Sequence, residues 1–293
     1  MAAVIIDGKT IAEEVKANVA ETVISLKQRG IIPCLAVILV GDYPASVSYV
    51  AGKRKALAAA GMADRSIILP ESVTEDELLS TIEKLNKDKS VHGILVQFPL
   101  PRHINPLKVT EAIAPEKDVD GFNSSSIGHL FNGTKGFIPC TPHGICVLLK
   151  KMGIKTDGAR VVIVGRSSIV GKPMALLLLQ KEYNDTVSIC HTGTKNLAQE
   201  TRQADIIIVA SGHINTITKD MVKPGAAVID VGVNRIPDAS KKSGFRLVGD
   251  VDFEGVKEVA GYLTPVPGGV GPMTIAMLIF NTLEAAQMQN ANA

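Results

Sequence analysis

Short apolar runs, each followed by a turn and then a helical stretch, constrain this chain more than any other feature. Leu35–Val40, Val91–Val96, Val161–Val164, Val187–Cys190, Asp205–Ala210 and Ala226–Val231 are dominated by Val, Ile and Leu. A continuous apolar run of this length has little or no polar face, so it reads as a strand covered on both sides. Helical stretches lie between the runs. Ile11, Val15, Val19, Val23 and Leu26 mark one face of a helix over roughly residues 9 to 29, ended by Gly30. Thr74 and Glu77 form a capping box that opens a helix to Lys87. Strand and helix in alternation imply a mostly parallel sheet covered by helices, an α/β fold. The longest apolar runs are Ile31–Val40, which contains Pro33, and Ala204–Ala210, which contains Asp205. They reach only about half a membrane span, so no membrane partner is expected.

The first strand leads through Gly41-Asp42-Tyr43-Pro44 into Ser46–Gly61, S-V-S-Y-V-A-G-K-R-K-A-L-A-A-A-G. This stretch reads as a helix with Ser46 as N-cap and Gly61 as its stop. Gly52 is the one weak helix former in its body. Tyr49 and Lys53 stand one turn apart and share a face. A helix that starts just past a strand's end puts its first turns at the mouth of the sheet, where open α/β folds bind ligands. An aromatic ring and an amine on that face suggest a flat substrate and a proton-transfer group. Ser66–Leu69 reads as a short strand. Gln97 closes the run Val91–Val96, and the F-P-L-P that follows excludes a helix. Pro106 starts a short helix. Pro115–Asn123, P-E-K-D-V-D-G-F-N, is turn-rich and reads as the passage between domains. Thr141 as N-cap, with Pro142 at the first helical position, opens a connecting helix to about Met152.

The second α/β series begins with V-V-I-V-G-R-S-S-I-V-G, Val161–Gly171. Strand, glycine turn and helix (Ile169–Lys181) are the layout in which helix N-terminal N–H groups face a pyrophosphate. The spacing is G-x-S-x-x-x-G rather than G-x-G-x-x-G. The next strand ends in C-H-T-G-T-K, Cys190–Lys195, without the acid that an NAD site usually places there. A ribose phosphate would find Arg166, a Thr hydroxyl, and Lys195 or His191, so NADP is favoured over NAD. Helices are expected over Asn196–Ala204 and Phe253–Ala260, with a polar surface excursion at Asp238–Lys242. T-P-V-P-G-G-V-G-P-M-T leads into an apolar helix, Thr274–Gln289, and a frayed tail, Asn290–Ala293.

A length of 293 residues suits one large or two ordinary domains. A net charge of +2, seven Phe, four Tyr and no Trp argue against nucleic acid as a partner. The N-terminus shows no secretory signal. Cys34, Cys140, Cys146 and Cys190 lack zinc-ligand spacing and read as free thiols of a reducing cytoplasm. His92, His103, His129 and His213 also lack metal spacing, and His143 near a helix start reads as structural. No metal is expected.

Six motifs then coincide in order: Y-V-A-G-K-R-K-A (Tyr49–Ala56), G-I-L-V-Q-F-P-L-P (Gly93–Pro101), P-E-K-D-V-D-G (Pro115–Gly121), P-C-T-P-H-G (Pro139–Gly144), G-R-S-S-I-V-G-K-P (Gly165–Pro173) and T-P-V-P-G-G-V-G-P-M-T (Thr264–Thr274). With them the chain closely resembles the bifunctional methylenetetrahydrofolate dehydrogenase/methenyltetrahydrofolate cyclohydrolase family, from Ile6 to about Ala286. The resemblance implies a folate-binding catalytic domain, residues 1–138 with 268–293, closed by the C-terminal helix. It also implies a Rossmann-like NADP domain, residues 139–267, with the active site in the cleft between the two. Lys53 matches the central cyclohydrolase residue, Tyr49 the ring that lines the folate, and Gln97 the partner of the lysine. Asp120 matches the aspartate that grips the pterin. Pro265, Pro267, Gly268 and Gly269 match the stretch bordering folate and nicotinamide. Gly165, Arg166 and Ser167 match the cofactor-phosphate turn, Thr192 stands where many members carry Ser, and Val233 matches a backbone cofactor contact. Phe98 replaces a more usual Leu. The implied reaction oxidises 5,10-methylenetetrahydrofolate with NADP and hydrolyses the 5,10-methenyl product to 10-formyltetrahydrofolate. A cytoplasmic homodimer, paired through the nucleotide domain, is implied as well. A dehydrogenase-only member of the same fold and a catalytically silent NADP-binding protein are the rival readings.

Overall fold

A computed structural model describes residues 2–241 and 244–291. The chain opens with strand β1 (Val4–Ile5) and helix α1 (Gly8–Gln28). Strand β2 (Cys34–Val40), helix α2 (Pro44–Ala59), β3 (Ala63–Leu69), α3 (Glu75–Lys87) and β4 (Gly93–Val96) then alternate. Short helices α4 (Pro106–Ala112) and α5 (Ser124–Asn132) flank a 3-10 turn at Pro115–Lys117. Helix α6 (Cys140–Lys151) leads to β5 (Arg160–Val164), α7 (Gly171–Leu178), β6 (Thr186–Cys190), α8 (Leu197–Thr201), β7 (Ile206–Val209) and β8 (Ala227–Asp230). A hairpin, β9 (Asn234–Pro237) with β10 (Phe245–Val248), precedes α9 (Phe253–Lys257), β11 (Tyr262–Leu263) and α10 (Val270–Gln289).

The chain divides into two compact units. One, Glu13–Cys140 with Ile275–Ala293, holds a parallel three-stranded sheet in the order β3-β2-β4. Every residue of β2 is buried. Its Ile38 shares a core cluster with Leu78, Ile82 and Ile94, and each such side chain contributes about 1.5–3 kcal/mol by leaving water. The other unit, Met1–Ala12 with Thr141–Thr274, holds a parallel six-stranded sheet in the order β1-β11-β8-β7-β5-β6. Val162, Ile207 and Val228, from three adjacent strands, lie in its core.

The expected strands and helices are present, with differences at their ends. Helix α2 starts at Pro44 and not after Ser46: Tyr43 occupies the N-cap with no side-chain bond, and Ser46 is buried inside the first turn. A proline at N1 presets the backbone and lacks the N–H that a cap would serve. Strand β3 begins at Ala63, three residues earlier than expected, because its polar first half pairs with β2 as an edge strand. The acidic segment Pro115–Asn123 lies inside the unit Glu13–Cys140. Asp118 is buried there, and the following Ser-rich segment forms α5, capped by Asn123 and ended by left-handed Gly133. Helix α6 begins at Cys140, one residue before the expected cap. Helix α7 is shorter than Ile169–Lys181, and α10 starts inside the Pro-Gly loop. The first residues differ from the expected division as well. β1 pairs with β11, so residues up to Ala12 belong to the six-stranded unit. The surface excursion is the turn of the β9–β10 hairpin; Lys242 within it, and Asn292 and Ala293 of the expected frayed tail, lie outside the described residues.

Candidate active site

In the three-stranded unit, helix α2 presents Lys53 and the C-terminal end of β4 presents Gln97. The Gln97 backbone N–H donates to Ile38 O at 2.8 Å, which continues the sheet pairing and fixes the residue's place. Its side chain is oriented from both ends. Nε2 donates to Phe98 O at 2.7 Å, so Oε1 is left to accept from Lys53 Nζ at 2.9 Å. Burial lowers the Lys53 pKa from the usual lysine value, and Asp120 acts against that shift. Burial raises the pKa of Asp120, with Lys53 opposing. Amine and carboxylate are thus a pair held partly out of water, each favouring the ion on the other while desolvation disfavours both. The Cys140 thiol touches the same acid and donates to Val119 O at 3.4 Å; burial pushes its pKa well up, so it stays a neutral thiol. Phe98 and Phe122 line a narrow cavity with Asp120. Tyr49 lies one turn before Lys53 on α2 and is exposed.

The neighbouring Asp118 was not singled out in the sequence. It is 1% exposed and accepts from Gly121 N at 3.2 Å, Asn123 N at 2.8 Å and Ser126 Oγ at 2.7 Å. Asp118 holds the turn, which leaves Asp120 to face the amine. Its signal is the Asp three residues before a glycine, a turn-former's spacing.

In the six-stranded unit, the loops after β5, β6, β7 and β8 line the C-terminal edge of adjacent parallel strands. Strand β5 lies between β6 and β7, so the chain leaves it in both directions there, which is where such sheets open a crevice. Gly165 adopts φ +127°, and a Cβ on it would lie 2.2 Å from Ala210 O. No side chain fits, and the backbone itself forms the crevice floor. Ser167 Oγ accepts from Val170 N at 3.2 Å and Gly171 N at 3.4 Å, covering the first free amides of α7. The Arg166 and Ser167 side chains are exposed. After β6, His191 Nδ1 accepts from Gly193 N at 3.0 Å and Thr194 Oγ1 from His191 N at 2.9 Å. That turn leaves Thr192 exposed, with Lys195 exposed beyond it. Val233, after β8, is also exposed.

Two buried acids organise this rim, and the sequence did not reveal them. Asp230 accepts from Gly232 N at 3.0 Å, Asp250 N at 2.9 Å and Val251 N at 3.0 Å; burial raises its pKa to about 6. Asp250, fully buried, accepts from Ser211 N, Gly212 N and Asn234 Nδ2 at 2.7–2.8 Å. Thr264 Oγ1 accepts from Asp230 N at 2.7 Å, tying the start of the Pro265–Gly269 loop to the same centre. In that loop Val266–Pro267 is cis, Gly268 has φ +111°, and Gly269 N donates to Pro265 O at 2.8 Å. Two wider hollows, of about 610 Å³ beside Lys219 and Asp252 and about 480 Å³ beside Cys34 and His92, contain none of these groups.

Residues 6–120 match the model of the tetrahydrofolate dehydrogenase/cyclohydrolase catalytic domain, and residues 139–290 match that of its NAD(P)-binding domain. The Bifunctional protein FolD of Burkholderia multivorans is 55% identical over 293 residues, all of both chains. The bifunctional FolD crystal structure from Campylobacter jejuni is 50% identical, with a TM-score of 0.93 over 98% of this chain and 99% of that one. The Trypanosoma brucei FolD structure, complexed with NADP cofactor and inhibitor, is 39% identical with a TM-score of 0.95 over the whole of both chains. The chain described here belongs to the tetrahydrofolate dehydrogenase/cyclohydrolase family.

Proposed function

We propose that this chain catalyses two consecutive one-carbon steps: oxidation of 5,10-methylenetetrahydrofolate with NADP, then hydrolysis of the 5,10-methenyl cation to 10-formyltetrahydrofolate. The observation that carries this reading is the Lys53–Gln97 hydrogen bond at 2.9 Å beside the Asp120 carboxylate. Desolvation shifts the amine toward its neutral form, the form a proton acceptor needs. Lys53 takes a proton from the water that adds to the methenyl carbon. As the carbon–N5 bond of the adduct breaks, Lys53 returns its proton to N5 and the adduct's hydroxyl releases its own to solvent water, the one net proton of the reaction. Gln97 holds the amine without adding charge. Asp120 accepts paired N–H bonds from the pterin edge, and Tyr49 lines the folate beside it.

The residues of the other unit suit NADP. Gly165 leaves a cradle that a Cβ would fill, and Arg166, Thr192 and Lys195 are exposed nearby. When bound, NADP accepts the hydride that leaves the methylene carbon. Arg166 and Ser167 hold the cofactor's phosphates, Val233 contributes a backbone contact, and the Pro265, Pro267, Gly268 and Gly269 loop borders the reacting rings. The protein works as a cytoplasmic homodimer. Support for self-association is β6, the last strand of its sheet, with Ile189 and Leu179 exposed beside it.

Turnover of methylenetetrahydrofolate with NADP against NAD, followed by absorbance, tests the first step. A cyclohydrolase assay on the methenyl substrate with Lys53→Met tests the second: hydrolysis disappears if Lys53 carries the proton, and undiminished hydrolysis overturns the assignment.

A further inference from the structure

Helix α10 is apolar along most of its length, yet two neighbouring polar residues in it are buried, Asn281 at 1% exposure and Thr282 at 0%. Thr282 is satisfied inside the helix, its hydroxyl donating to Leu278 O at 2.7 Å. Asn281 reaches outside it. Its Nδ2 donates to Val119 O at 2.9 Å and to Ile138 O at 3.0 Å, with Cys140 Sγ at 3.7 Å. Those carbonyls belong to two separate segments. One immediately precedes Asp120; the other lies two residues before Cys140. The segments meet again where a Cβ on Gly121 would lie 2.7 Å from Pro139 N, and where the Cys140 thiol reaches Val119 O and Asp120. A single carboxamide therefore closes the corner that faces Lys53. It does so with neutral donors, so it adds no net charge next to the amine.

We propose that Asn281 is a positioning residue: by joining the Val119 and Ile138 carbonyls it fixes Asp120 and Cys140 as one rigid corner opposite Lys53. The proposal rests on Lys53 being the proton carrier. Without the carboxamide, the Ile138 carbonyl loses this donor and the Val119 carbonyl keeps only the longer bond from the Cys140 thiol, so the corner loosens. Displacing the acid by ~1 Å costs up to about 10²-fold in rate.

The test compares Asn281→Ala and Asn281→Ser with Thr282→Val in the full-length protein. Thr282→Val removes an equally buried polar group that touches no part of the corner. Asn281→Ala is expected to lower hydrolysis about 10- to 100-fold and to displace the midpoint of its pH profile, Asn281→Ser to do so less, and Thr282→Val to leave the midpoint in place. A folded Asn281→Ala or Asn281→Ser with hydrolysis within about twofold of the parent and an unmoved midpoint overturns the proposal, as does an equal displacement in Thr282→Val. Should neither Asn281 variant fold, selective ¹⁵N-asparagine labelling of the native protein decides. The Asn281 side-chain amide resonance is expected to titrate with the midpoint of hydrolysis, and a flat response overturns the proposal. Lys53→Met separates the two levels. Hydrolysis that survives it removes the underlying reading, whereas hydrolysis that is lost while Asn281→Ala is neutral removes the positioning role alone.

Discussion

Asp120, part-buried, and Asp250, fully buried, are acids at the C-terminal edge of a parallel sheet, in different units, and they are supplied very differently. Asp250 receives donors from Ser211, Gly212 and Asn234, and its neighbour Asp230 receives three backbone N–H groups. Asp118 is saturated in the same way. Asp120, two residues on, has the Cys140 thiol and the field of Lys53. A carboxylate whose lone pairs are filled by its own fold is part of the framework. One left short of donors beside a desolvated amine has capacity for a ligand. The same side chain is architecture in one setting and chemistry in the other, and what separates the two is the count of donors together with a desolvated amine alongside.

That contrast can be broken most decisively at Lys53. Lys53→Met is expected to reduce hydrolysis by about 10²–10⁴-fold, the usual contribution of a positioned proton carrier, as read from the disappearance of methenyl absorbance. In the parent enzyme, hydrolysis is expected to rise with pH through a midpoint below the unperturbed lysine value of about 10.4, because the neutral amine is the active form and burial lowers its pKa. A midpoint at or above that value would contradict a desolvated amine. On the framework side, Asp250→Ala takes the acceptor from the backbone amides of Ser211 and Gly212 and is expected to cost about 3 kcal/mol, seen as a lower melting temperature. A loss no larger than that of a surface substitution would dissolve the distinction.

Asp185 sharpens it from a third direction. It is 7% exposed, neither carboxylate oxygen has a hydrogen-bond partner, and burial, aided by Asp157, pushes its pKa to about 7. The folded value lies above the unfolded one, so the folded state holds the extra proton and stability falls as pH rises from about 4 to about 7. Asp185→Asn is expected to remove that slope and to stabilise the protein at pH 8 by on the order of 2 kcal/mol, measured by denaturant unfolding at two pH values. The smallest effect is expected at Thr74. Its hydroxyl accepts from Glu77 N at 3.2 Å while Glu77 answers to Thr74 N at 2.9 Å, and Thr74→Ala should cost about 1 kcal/mol.

What was legible in the sequence follows from range. The Thr74–Glu77 cap acts across three residues, and α3 runs over Glu75–Lys87 as that box requires. The apolar runs of β2 and β7 declare burial residue by residue. Tyr49 and Lys53 share a face through helical spacing alone, whereas the pairing of Lys53 with Gln97, 44 residues away, came from the motifs and not from any local pattern. Asp230, Asp250 and Asn281 were missed for the same reason. Their partners are mostly backbone groups up to 162 residues distant, and a backbone amide or carbonyl leaves no mark on the sequence. The β9–β10 hairpin was missed because its strands are only four residues each, N-R-I-P and F-R-L-V, too short for a clear apolar run, with Arg235 over the Phe245 ring at 4.5 Å joining them.

The register of β1 sets an order of events during synthesis. Val4 and Ile5 pair with Tyr262 and Leu263, and β11 stands between them and the rest of the six-stranded sheet. Residues 4 and 5 therefore have no docking place in this sheet until β11, about 258 residues further along the chain, has been made. The β1 edge is thus the part of the sheet that waits longest for its neighbour, while β5, β6 and β7 meet within a much shorter stretch of chain.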